Sequence, residues 1–118
     1  MGYEARATRA YGRPAAAVVD QATEAVARLG GKAGKGSRPA DGHLEAAFNK
    51  AVAGKTFMNR CELVVQVTAD GPERCAVAVE AYPVDPMGKK LLFGVMGEPA
   101  KLVATAFCQE LDARLTGA

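Results

Sequence analysis

Between Tyr3 and Tyr11 apolar and polar residues alternate. Tyr3, Ala5 and Ala7 fall on one side, and Glu4, Arg6 and Thr8 on the other. A period of two marks a strand with one buried face, so the segment predicts a first strand. Gly12 breaks the extended run, and Pro14 suits the first turn of a helix, where its missing N–H forfeits no bond. From Pro14 to Leu29 the period changes: Val18, Ala22, Val26 and Leu29 recur at helical spacing, with Asp20, Gln21, Glu24 and Arg28 opposite. Glu24 and Arg28 stand at the favourable i,i+4 separation, and Gly30-Gly31 supplies the stop.

Residues 30–42 carry no periodicity and are dominated by Gly, Lys, Ser, Arg and Pro, which predicts a flexible loop. Alternation returns from His43 to Asn49, with Leu44, Ala46 and Phe48 on the apolar side, and predicts a second strand. Over Lys50 to Asn59 the pattern is open, since Gly54 fits either a turn or a bulge. Arg60–Thr68 and Arg74–Tyr82 flank the turn formers Ala69-Asp70-Gly71-Pro72-Glu73 and predict a hairpin. In it Leu63, Val65 and Val67 share a core with Val77, Val79 and Ala81. Pro83 and Pro86 punctuate, and Lys89 to Val95 is read as a short edge strand.

Glu98-Pro99 opens a second helix whose buried side collects Ala100, Val103, Ala104, Phe107, Leu111 and Leu115, with Cys108 at its margin. Lys101, Thr105, Gln109 and Asp112 face away, and Gly117 ends the helix. Arg114 falls on the apolar stripe, where its stem is expected to cover the core while its head reaches water. The order strand, helix, strands, helix lacks strict alternation. It predicts an α+β fold: an antiparallel sheet of four to five strands with two helices packed on one face. The 118 residues are read as a single domain, 1–118, with ordinary globular composition.

Charge adds a local feature. Residues 1–60 hold ten Lys/Arg against five Asp/Glu, and residues 61–118 hold five against eight. Arg28, Lys32, Lys35 and Arg38 form a run without an acid, so Lys32, Lys35 and Arg38 are candidate anion or partner contacts. Lys89 and Lys90 form a second basic pair, for which a solubilising edge device is the simpler reading. Gly34-Lys35 invites comparison with a phosphate loop, but Leu29 stands where the first glycine is required and Gly36 where Ser or Thr is required. Gly54-Lys55-Thr56 fails likewise, with Asn49 upstream. Nucleic-acid contact through Arg28, Lys32, Lys35, Arg38, Lys50 and Lys55 is disfavoured by a net charge of only +2.

The cysteines Cys61, Cys75 and Cys108 are an odd set without metal-ligand spacing, which argues against a disulfide framework or zinc and for a reducing, cytoplasmic setting. They are expected to be buried thiols, because the adjacent Arg60 and Arg74 point to the opposite strand face. No signal peptide or membrane span is evident. His43 is the single histidine; Asp41 nearby could complete an acid–base pair, yet no nucleophile accompanies it. No catalytic residue, metal site or cofactor is assigned, and Met58, Met87 and Met96 are read as gap fillers.

The plan of Tyr3–Tyr11, Arg13-Pro14 opening a helix, a central hairpin and a long closing helix from Pro99 resembles two kinds of small helix-on-sheet domain. One is the half-repeat of the TATA-box-binding protein. The other is the helix-grip group that includes polyketide cyclases and lipid carriers. The outline is also similar to bacterial domains of unknown function. The helix-grip resemblance implies a cavity for a small apolar ligand beneath the closing helix, and the other implies an open sheet face for a partner. The Gly/Lys loop stands where helix-grip proteins place a second small helix, and aromatics to line a pocket are sparse. A non-enzymatic module binding a small molecule or a protein is the leading expectation, with a homodimer compatible with it.

Overall fold

The computed structural model describes residues 5–49, 51–56, 60–84 and 98–116. Its elements are β1 (Ala5–Tyr11), α1 (Ala15–Leu29), β2 (Lys32–Ala33), a 3-10 turn (Pro39–Asp41), β3 (His43–Phe48), β4 (Ala51–Val52), β5 (Lys55–Thr56), β6 (Arg60–Ala69), β7 (Cys75–Val84) and α2 (Glu98–Thr116). The expected α+β class and element order hold. Five strands form one antiparallel sheet in the order β1-β7-β6-β3-β2. The residues read as a strand over Lys89 to Val95, together with Lys50, Met58, Met87 and Met96, lie outside the described residues.

Strand alternation sorts the sheet into two faces. Leu63, Val65 and Val67 stand opposite Ala81, Val79 and Val77, and all six are buried with Leu44, Ala46 and Phe48. Val18, Ala22, Val26 and Leu29 of α1 and Val103, Phe107 and Leu111 of α2 close over that face, forming one continuous apolar cluster. His43, Glu45, Glu62, Gln66, Glu80 and Tyr82 occupy the opposite face, half-buried among themselves. β7 continues two residues beyond Tyr82 through Pro83, which pairs with Cys61.

Residues 30–42, read as an irregular loop, contain two short regular elements. Lys32 and Ala33 pair with Ala47 and Ala46 and extend the sheet by one edge strand. Gly30, at φ 95°, closes α1: its N–H and that of Gly31 return to the carbonyls of Ala27 and Val26. Gly31 packs so closely against the Phe48 ring that a Cβ there would lie 2.7 Å from it. Gly54 marks a turn: Ala53 and Gly54 both have positive φ between β4 and β5, as a two-residue hairpin requires. Arg114 also departs from expectation. Its guanidinium bonds Glu110 at 2.8 Å and Gln21 of α1 at 3.2 Å, bridging the helices instead of reaching into water.

Candidate functional site

The closing helix leaves no room at its centre. Val103, Phe107 and Leu111 have 0% exposure, so no water-sized void adjoins them, and the space in which the helix-grip resemblance implies a ligand is filled at these positions. Among the described residues, openings lie along α1. A cleft of about 460 Å³ is bounded by Ala15, Ala16, Val19 and Asp20 of α1, by residues 39–42, and by Val67 and Ala69 of β6. A narrower recess of about 130 Å³ lies further along the helix, where Thr23, Val26 and Ala27 face Gly31, Ala33 and residues 44–46.

Both openings use one side of α1. At 100° per residue, the α1 positions lining them fall within an arc of about 140°, and Ala15 to Ala27 spans about 18 Å of helix. The lining is short because the chain puts alanine, glycine and threonine where longer side chains would bridge to the sheet. In the recess the polar groups are already satisfied. The Thr23 hydroxyl donates to the Val19 carbonyl at 2.9 Å. That of Ser37 donates to the Glu45 carbonyl at 2.9 Å and accepts from the Glu45 N–H at 2.8 Å. The recess therefore presents an apolar lining, whereas the wider cleft carries the exposed carboxylates of Asp20 and Asp41. It also borders the N-terminus of α1, where no side chain caps the free N–H groups.

The comparisons bear on the architecture. No family model matches the sequence, and no curated protein matches it. A solved structure shares the fold. It is the di-domain ARO/CYC BexL from the BE-7585A biosynthetic pathway, 14% identical, with a TM-score of 0.60 over 95% of this chain and 45% of that one. The chain thus spans under half of that protein's length. A solution NMR structure from Thermobifida fusca is also similar, at 14% identity and a TM-score of 0.41 over 94% of this chain and 86% of that one. The likeness to the ARO/CYC protein is one of fold.

Lys32, Lys35 and Arg38, singled out in the sequence, are not among the residues that line the cleft. Lys32 lies exposed on the edge strand β2, and Lys35 is exposed in the segment that follows. The Arg38 guanidinium lies 3.5 Å from the Asp41 carboxylate, so part of the expected positive spot is neutralised. Lys89 and Lys90 lie outside the described residues. Among the described residues no group of three His, Cys, Asp or Glu is placed to hold a metal ion, and no helix is long and apolar enough to cross a membrane.

His43 takes a different partner from the one its sequence neighbourhood suggests. Its Nε2 lies 2.8 Å from the Glu45 carboxylate, two residues along the same strand and on the same face, and its Nδ1 lies 3.0 Å from Oε1 of Gln66 on β6. The hydrogen bonds to Glu45 and then Gln66 raise its pKa above the ordinary 6.5. Cys61, Cys75 and Cys108 are free and buried, as expected, and burial raises all three thiols, that of Cys61 to about 12. None has the character of a nucleophile.

Proposed function

We propose that the chain is a non-enzymatic binding module of helix-grip plan, and that its ligand sits along α1 in the cleft bounded by residues 39–42. The observation that carries this reading is the pairing of a wide cleft with an apolar recess on one side of α1, beside a closing helix packed solid at Val103, Phe107 and Leu111. The recess has the scale of one small ring, and the wide end offers carboxylates and uncapped helix N–H groups. A small molecule with an apolar body and a neutral hydrogen-bonding head fits both ends. The three free, buried thiols support a reducing compartment such as the cytoplasm.

Benzyl alcohol, which stays neutral across the useful pH range, tests the seat. Titrated into isotopically labelled protein, it is expected to shift the amide signals of Ala16, Val19, Thr23, Ala27 and Gly42 and to leave those of 103–111 in place. It should be recovered chemically unchanged. Shifts centred on α2, or none at millimolar probe, reject the seat; turnover of the probe rejects the non-enzymatic reading.

A further inference from the structure

The outer face of the sheet holds a hydrogen-bonded chain that reaches the wall of this cleft. Gln66 donates through Nε2 to the backbone carbonyl of Asp41 at 3.2 Å, which turns its Oε1 towards His43 Nδ1. The other ring nitrogen faces the Glu45 carboxylate. Both nitrogens therefore face acceptors, and only an imidazolium, with two N–H donors, satisfies both. Turning the Gln66 amide over does not help, because its oxygen would then face the Asp41 carbonyl. The segment is tied to the same strand by its backbone: Arg38 and His43 exchange N–H···O bonds at 2.7 and 3.1 Å, and Gly34 donates to the Glu45 carbonyl at 2.7 Å. The Glu45 carboxylate lies directly over Gly36.

We infer that the proton on His43 operates a latch that fixes residues 34–42, the segment whose residues 39–42 wall the α1 cleft, against β3 and β6. Losing that proton breaks one of two links. If Nδ1 keeps its hydrogen, the lone pair of Nε2 repels the Glu45 carboxylate, which leaves its place over Gly36. If Nε2 keeps it, Gln66 must let go of either His43 or the Asp41 carbonyl. Both routes loosen a wall segment. The charged groups that act on His43 are Glu45 on its own strand, which favours the proton, and Arg38 in the wall segment, which opposes it; Arg38 is in turn held by Asp41. Gln66 is the uncharged contact from β6. Because the pKa is raised on folding, the latch is fully made below the ordinary value of 6.5 and is lost as pH climbs through the raised one.

The latch itself stands apart from the ligand reading; its effect on affinity rests on that reading, and the test has an arm for each. In the first arm, the free protein is titrated by NMR between about pH 5 and 9 while the His43 ring and the amides of 34–42 are followed. The ring midpoint is expected above 6.5, with Gly36, Ser37, Asp41 and Gly42 shifting at the same midpoint and exchanging faster on the alkaline side. Glu45→Gln should lower the midpoint, and His43→Gln should abolish the response of 34–42 while the α2 signals stay unchanged, which shows that the variant folds. A midpoint at or below 6.5, or wall amides that do not follow the ring, overturns the latch. In the second arm, benzyl alcohol binding is measured at both ends of the range. Severalfold weaker binding on the alkaline side, absent in His43→Gln, supports coupling to the cleft. Equal binding at both ends overturns the coupling, and no binding at either end overturns the proposed seat, with the latch still decided by the first arm.

Discussion

Gly42 stands where the cleft wall meets β6. Its backbone has φ 76°, its N–H donates to the Pro39 carbonyl at 2.9 Å, and its own carbonyl accepts from the Val67 N–H at 2.7 Å. A Cβ here would run into the Val67 carbonyl oxygen, a backbone atom of a central strand that cannot swing aside. Gly71, in the β6–β7 turn, has φ 104° with nothing near its missing Cβ. Gly42→Ala should therefore cost the left-handed strain plus a collision, about 2–3 kcal/mol, and Gly71→Ala the strain alone, about 1 kcal/mol. Urea unfolding of the two variants checks the difference, and equal losses would show that the wall yields at Gly42. At this scale the sequence was partly legible. Strand alternation places Glu45 on the same face as His43, which makes it a better partner than Asp41. Gln66 is 23 positions away and becomes a neighbour only through the register of β3 on β6, which no local pattern specifies.

Among the elements, α2 is held by side chains that are fully enclosed. Leu111 has no exposed surface and packs in the cluster that joins both helices to the sheet. Leu111→Ala removes buried methyl groups where tightly packed neighbours cannot fill the space, and should destabilise the fold by about 2–5 kcal/mol. The same substitution should open a dry void under α2 that takes up xenon or benzene, which the parent protein refuses there. Uptake by the parent at that position would show that the helix sits on a cavity after all. Both long helices and the central hairpin were readable because their buried stripes recur over many residues, so each position reinforces the next. β2 and the β4–β5 pair have two residues per strand, too few to show any period, and exist because backbone groups find partners across the fold. The cleft was illegible for a related reason: it is the space left between α1 and the 31–46 segment, set by how far apart packed elements stand. The sequence carries only its indirect trace, the alanines at positions 15, 16 and 27 on one side of α1.

For the whole molecule, stability should fall with rising pH in two separate windows. Among the described residues, five acidic groups have raised pKa values with burial as the first cause: Cys61 and Tyr82, each pushed to about 12, together with Cys75, Cys108 and Tyr11. Tyr11 is held further by donating to the Asp112 carboxylate at 2.6 Å, a bond that ties β1 to α2 and needs the phenolic proton. In the unfolded chain these groups ionise at their ordinary values of 9.0 and 10.0, while the folded protein keeps them neutral. Above about pH 9 the unfolded state therefore loses protons that the native state retains, and the free energy of unfolding declines with pH. His43 contributes in an earlier window. Its proton is favoured in the native state, so its share is intact below 6.5 and lost as pH passes through its raised value. Urea unfolding across about pH 5 to 11 should show a shallow early decline and a steeper one beginning near 9. His43→Gln should remove the first and leave the second, and Cys61→Ala should reduce the slope of the second. A stability profile that stays level beyond pH 10 would mean that the native protein lets these thiols and phenols ionise, which a single packed core across both helices and the sheet does not permit.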